Sequence, residues 1–191
     1  DLNENFRFSR YENSFIWLKE AGVALPVYCV QEPELPLLLS KSTNLFKLFL
    51  SDVGLLASMY VDGLQLKILS REKDINFGAI YENVAAQELK AHGFELYYFN
   101  SKKQGELDFV IEYKGNVLPL EIKSGKAYTR HNALDNVLKE ERYAIPQAFV
   151  FCNKNISTQE KIVYLPIYMI GFLEKEKIEE YIYSIDLSAL Q

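Results

Sequence analysis

Four side chains between Tyr81 and Lys126 have the types and spacing to do chemistry on a phosphate ester. Glu82 sits near the start of a helix-like stretch, Asp108 closes Glu106-Leu107-Asp108, and Glu121 and Lys123 flank Ile122. Hydrolysing a phosphodiester needs an attacking hydroxide and neutralisation of the charge that builds around phosphorus. Carboxylates holding Mg²⁺, with Mn²⁺ as a substitute, can supply both, and a nearby lysine can orient the water or stabilise charge. On this reading Asp108 and Glu121 are the direct ligands and the Ile122 backbone carbonyl adds a third oxygen. Lys123 is the charge-stabilising group, and Glu82 completes or adjusts the metal site. The competing reading is a strand pair with a solvated face, in which Asp108 opposite Lys123 is a cross-strand ion pair. An aspartate followed at a distance by [DE]-x-K is by itself a weak pattern.

A hairpin brings these residues together. Glu106 to Tyr113 and Val117 to Lys123 are strand-like runs, and Gly115-Asn116 between them suits a two-residue turn whose central positions take positive φ. That turn pairs Lys114 with Val117, Val110 with Glu121, and Asp108 with Lys123. Directly opposed residues share a face, so Asp108, Glu121 and Lys123 converge, with Phe109, Ile111 and Ile122 on the other side. A slip of one residue would separate them. Val117 to Ile122 is apolar on both faces, as a central strand covered on both sides would be.

The rest of the chain supplies the frame. Tyr11, Phe15 and Leu18 lie at helical spacing, with Gly22 as a stop. Strands are expected at Val23 to Val30 and Leu45 to Leu50. This opening is readable either as the end of a winged-helix unit or as an ordinary edge of the main domain. Asp52 caps a short helix rather than binding a metal, and a polar connector runs on to Lys73. A longer helix spans about Asn76 to Ala91, with Phe77, Ile80, Tyr81, Val84, Ala85 and Leu89 buried and Glu82 at the edge of that stripe. Strands are expected at Glu95 to Asn100, Leu107 to Tyr113, Val117 to Lys123, Gln147 to Cys152 and Ile162 to Met169. Helices are expected at Arg130 to Arg142 and Gly171 to Tyr183. His92 is expected at a helix end, and His131 on the surface. The order predicts an α/β fold: a mixed central sheet flanked by helices.

Composition narrows the function classes. A net charge of -5 argues against a strong nonspecific polyanion binder. Lys102, Lys103, Lys123, Lys126, Arg130 and His131 nevertheless form a basic rim around the central stretch, whereas Glu174 to Glu180 is mostly acidic. Cys29 and Cys152 are far apart and match no zinc or disulfide spacing. With no signal peptide, a cytoplasmic location is expected. The longest apolar run, Ile162 to Leu173, is interrupted by Pro166 and too short to span a bilayer. G-x-x-x-x-G-K-[ST] is absent, so no ATP-binding loop is present in this sequence.

Several stretches together resemble one known family. They are Asp52-Val53-Gly54-Leu55-Leu56, Tyr81-Glu82-Asn83-Val84-Ala85 through Glu88-Leu89, Gly105 to Val110, and Leu118 to Gly125. Over about residues 45–170 they are similar to the uncharacterised C-terminal domain of prokaryotic AAA+-type ATPases, whose fold is similar to the PD-(D/E)xK nuclease superfamily. The resemblance implies a restriction-endonuclease-like core over 45–191. By position Glu82 matches the helix acid, Asp108 the second-motif acid, and Glu121 with Lys123 the third motif. The superfamily's Pro-Asp is here Leu107-Asp108. The resemblance also implies that a P-loop ATPase module, which would bind the ATP, and a winged helix precede Asp1, with residues 1–44 the remnant of the latter. DNA is the implied substrate. The alternative function is a non-catalytic DNA- or protein-binding module that targets or regulates the attached ATPase.

Overall fold

The turn between the two acidic strands falls at Lys114-Gly115, whose φ values are 50° and 69°. Both are left-handed, as the tightest hairpin turns require. The expected turn at Gly115-Asn116 is therefore displaced by one residue. Asn116 instead begins the second strand, and its side-chain amide donates to the Lys114 carbonyl at 2.9 Å. The register becomes Tyr113 opposite Asn116, Ile111 opposite Leu118 and Phe109 opposite Leu120. Continued one step, it sets Asp108 opposite Glu121, where Lys123 was expected. The register moves by two residues, so Phe109, Ile111 and Ile122 stay on one face as expected.

The computed structural model describes residues 12–59, 66, 70 and 77–176. In order, it contains α1 (Glu12–Glu20), β1 (Ala24–Val30), β2 (Lys41–Leu50), α2 (Val53–Ser58) and α3 (Gly78–Ala91). Then come β3 (Tyr97–Ser101), β4 (Gly105–Tyr113), β5 (Asn116–Ile122), α4 (Asn132–Lys139), β6 (Ala148–Cys152), β7 (Ser157–Gln159) and β8 (Ile162–Pro166). Among the described residues, eight strands form one mixed sheet in the order β2-β1-β3-β4-β5-β6-β8-β7. β1 runs parallel to β3, and β5, β6 and β8 run parallel to one another. Residues 24–44, set apart above as a winged-helix remnant, contribute β1 and the start of β2 to this same sheet.

The sheet separates two apolar layers. On one face Phe109, Ile111, Leu118, Leu120, Ile122 and Phe151 pack with Ala85, Ala86 and Leu89 of α3. On the other, Val110, Val117 and Val150 pack with Leu134 and Val137 of α4. β5 is buried at every position after Asn116, as a central strand covered on both sides must be. Each large apolar side chain sealed in these layers contributes about 1.5–3 kcal/mol.

Helix α3 is stopped by Gly93, at φ 81°. The Phe94 amide donates to Leu89 and the Gly93 amide to Lys90, while Phe94 and Leu89 join the same core. Its buried residues are Ile80, Asn83, Ala85, Ala86 and Leu89, so Tyr81 and Val84 of the expected stripe are only half-buried. The polar Asn83 takes one of the buried positions. Its side chain accepts from the Leu50 amide at 2.8 Å and donates to the Leu50 carbonyl at 2.9 Å. Asn83 thus satisfies the end of β2 as a neighbouring strand would. Gln87, one turn on, accepts from the Val53 amide at 3.0 Å.

Other expectations need correction. The strand expected over Ile162–Met169 ends at Pro166 and passes into a 3-10 helix, Ile167–Phe172. Residues 173–176 are not helical, and the remainder of the expected closing helix lies outside the described residues. The helix expected over Arg130–Arg142 is shortened to α4, followed by a 3-10 turn at Glu141–Tyr143. Strand β7 was not expected, because Ser157-Thr158-Gln159 carries no apolar signal and is wholly exposed. Tyr11 and most of the connector to Lys73 lie outside the described residues. Asn83→Ala is expected to lower stability by about 1–3 kcal/mol in urea unfolding, because it leaves two Leu50 backbone groups unpaired.

Candidate functional site

Strand β4 does not run evenly beside β3. Tyr97 pairs with Val110, but Phe99 pairs with Leu107, so four β4 residues span three of β3. The extra residue makes a bulge at Asp108-Phe109. Leu107 accordingly packs in the α4 layer, while Phe109 packs in the α3 layer. Bulges re-aim side chains, and this one delivers the Asp108 carboxylate to the end of β5. There Asp108 Oδ2 accepts from the Ile122 amide at 2.8 Å. Ile122, expected to lend its carbonyl, thus meets Asp108 through its N–H.

Gly105 permits this approach. Its φ is 99°, and an added Cβ would lie 2.9 Å from the Ala133 Cβ of α4. Strand β4 therefore enters the sheet pressed against that helix.

Glu121 is the buried member of the group. Only 3% of its side chain is exposed, and its Oε2 lies 2.7 Å from Lys123 Nζ. Burial, and then the adjacent Asp108 carboxylate, push Glu121 up to about 7, against the opposing pull of Lys123. For Lys123, burial works to lower the pKa. The Glu121 hydrogen bond and the charges of Glu121, Asp108 and Glu82 outweigh it and raise the value. The expected Asp108–Lys123 ion pair is replaced by one between Lys123 and Glu121, two residues before it in the chain.

Glu82 reaches the same place from α3. Burial raises its pKa, as does the Asp108 carboxylate, while Lys47 and Lys123 oppose the rise. The hairpin and the helix therefore converge, and Glu82, Asp108, Glu121 and Lys123 form one electrostatic group. Nearby, the Asn153 amide donates to the Ser124 carbonyl at 3.0 Å, and the Lys123 amide donates to Phe151 at 2.8 Å. These bonds hold the chain just after β5 against β6.

Two charged residues of this neighbourhood were not singled out from the sequence as site residues. Lys47, in β2, pairs with Glu106. Alternation in Leu45-Phe46-Lys47-Leu48 put a lone cation in a strand, but nothing in the sequence joins β2 to the hairpin. That link runs through β1 and β3.

Among the described residues, no group of three or more His, Cys, Asp or Glu side chains is arranged to hold a metal ion. The donor set near Asp108 is two adjacent carboxylates. That set suits Mg²⁺, which is commonly held by one or two carboxylates while keeping waters. The mutual repulsion that raises Glu121 is also what a cation between the two would relieve.

His131 departs from expectation. It is 7% exposed, with Nδ1 2.9 Å from Asp135 Oδ1 and Nε2 2.8 Å from the Tyr164 hydroxyl. It ties the start of α4 to β8 instead of lying on the surface. Asp52 accepts from the Leu55 amide at 2.7 Å and serves as the α2 cap. His92 lies at the α3 terminus, with Nδ1 2.9 Å from the Leu173 carbonyl.

Residues 77–170 match the model of a domain of unknown function, DUF4143. That span holds Glu82, Asp108, Glu121 and Lys123, but not Lys47. No curated protein and no solved structure matches the chain significantly. Among the described residues, no helix is long and apolar enough to cross a membrane.

The raised Glu121 makes stability depend on pH. A carboxyl near 7 in the fold and near 4.5 when unfolded binds more protons in the native state between those values. Its contribution is therefore present below about pH 4.5 and is lost as pH rises through 7. Glu121→Gln is expected to flatten this slope and to stabilise the chain by about 1–3 kcal/mol at pH 8, measured by urea unfolding across pH.

Proposed function

We propose that this chain is a nuclease-like domain that hydrolyses phosphodiesters of DNA with Mg²⁺. The observation that carries the reading is the buried Glu121, with Lys123 Nζ 2.7 Å away and the charge of Asp108 acting on it. Two carboxylates in a poorly hydrated site repel each other, and that arrangement suits a divalent cation better than a solvated strand face. The element order α3-β3-β4-β5-α4-β6 supports the finer reading of a restriction-endonuclease-like core.

Asp108 and Glu121 would hold the ion, with the Ile122 carbonyl as a further oxygen. When bound, Mg²⁺ neutralises charge on the phosphodiester and eases ionisation of water. Lys123 holds a positive charge beside the phosphate oxygens and helps to orient the attacking water. Glu82, raised by burial at the edge of the group, can take up the proton that this water releases. Its position on α3 depends on the Asn83 anchor to β2.

The DUF4143 match supports an attachment to an AAA-type ATPase, since that domain usually accompanies such enzymes. The net charge of -5 favours the second reading, a non-catalytic module that brings DNA or a protein partner to that ATPase. A cytoplasmic location accords with either.

Calorimetric titration with Mg²⁺ or Mn²⁺, followed by cleavage assays on single- and double-stranded DNA, separates the two. Saturable metal binding and metal-dependent cleavage are expected, both abolished by Asp108→Ala and by Glu121→Ala. Lys123→Met is expected to retain the metal and to slow cleavage by roughly 10²-fold. Folded wild-type protein that binds no metal at millimolar concentration, and cuts no DNA, would sink the catalytic reading.

A further inference from the structure

Glu106 stands two residues before Asp108 on β4, and its carboxylate is held by two donors from two other strands. Lys47 of β2 pairs with Oε1, and the Asn100 amide of β3 donates to Oε2 at 2.7 Å. Lys47 Nζ also lies 4.9 Å from the centre of the Tyr98 ring, which gives the ammonium an aromatic neighbour. An ammonium and an amide converging on the two oxygens of one carboxylate make a seat for an anion. Both would present the same donors to phosphate oxygens.

Glu106 is a weakly held occupant. Its side chain is 41% exposed, and that of Lys47 is 25% exposed. A pair so placed contributes little to stability, so Glu106 can leave the seat at small cost. A carboxylate that swings away from Lys47 and Asn100 leaves a cation and a donor facing solvent.

The position of the seat gives it a role. Two residues along a strand span about 7 Å, so the seat lies one short step from Asp108 on the same strand. Lys47 and Lys123 both act on Glu82 of the acidic group. That step is on the scale of the distance between successive phosphates of one nucleic acid strand. Lys123 serves the phosphate at Asp108 and Glu121. Lys47 is placed to serve the next.

We propose that Lys47 and Asn100 form a second phosphate subsite, occupied by Glu106 in the free chain, which takes the phosphate adjacent to the scissile one. The proposal rests on the phosphodiester reading of the Asp108–Glu121–Lys123 site. It adds a contact from outside residues 77–170, and a reason for Glu106: a stand-in that excludes weaker anions and yields to a DNA strand.

Fluorescence anisotropy with a labelled twelve-nucleotide DNA, single-stranded and duplex, tests this with Ca²⁺ in place of Mg²⁺ and salt varied. Lys47→Met is expected to weaken binding roughly 10-fold and to reduce the salt slope by about 0.7–0.9, the loss of one phosphate contact. Glu106→Gln should tighten binding roughly 3–10-fold in the wild-type background and leave it unchanged beside Lys47→Met. Lys47→Arg should restore most of the affinity. An unchanged salt slope in Lys47→Met, or an equal gain from Glu106→Gln in both backgrounds, would overturn the subsite, as would absence of binding to either DNA. Mg²⁺-dependent cleavage by the wild type is scored separately. Cleavage without the Lys47–Glu106 coupling removes the subsite and keeps the nuclease. Coupled binding without cleavage keeps the subsite and removes the hydrolysis.

Discussion

Two carboxylates meeting at the end of a strand buried on both faces is the constraint around which this fold is arranged. Glu121 is almost wholly enclosed, and burying a charged carboxylate costs several kcal/mol unless partners compensate. Lys123 compensates in part, but the Asp108 carboxylate opposes it, and the balance leaves Glu121 near 7. An apolar residue at position 121 would fit the covered strand with none of this cost. Strongly perturbed acids cluster at functional sites, which makes Glu121 a candidate for one.

The compensations are spread through the structure. The β4 bulge turns Asp108 toward the Ile122 amide, and Gly105 lets that strand press against α4. Asn83 locks α3 to the end of β2 and so sets where Glu82 stands. Apart from the Ile122 amide, which stabilises the Asp108 charge, these act through the backbone. Each fixes a backbone, and the backbones fix the distances. In a medium less polar than water those distances decide how strongly the groups act on one another.

Much of this was legible in the sequence, for a definite reason. Side chains alternate with a period of two, so a turn misplaced by one residue, which moves the register by two, still leaves Phe109, Ile111 and Ile122 on one face, while the bulge places Asp108. Helix α3 was legible from its apolar spacing and Gly93. The Lys114 turn was hidden, since a lysine at positive φ is uncommon and Gly115-Asn116 offers the better local signal. The bulge was hidden because nothing in Gly105 to Val110 marks an extra residue. Asn83 was hidden because an asparagine in a helix reads as solvated unless the strand end that it bonds is already known. His131 misled similarly, since Asp135 lies on its own helix but Tyr164 comes from a strand far along the chain.

The contribution of β2 was the least legible, and it alters how the site is bounded. By sequence order Lys47 is far from the hairpin, and the matched family domain starts at residue 77. The sheet runs β2-β1-β3-β4, so the ladder of β1 on β3 carries Lys47 to within ion-pair reach of Glu106. The same β2 end is bonded by Asn83, the neighbour of Glu82. Strand β2 therefore holds the helix acid on one side and supplies a cation on the other. The opening strands cannot be treated as a detachable appendage of the acidic site. Without them Glu106 loses its lysine, α3 loses its anchor, and the charge around Asp108 and Glu121 becomes more acidic.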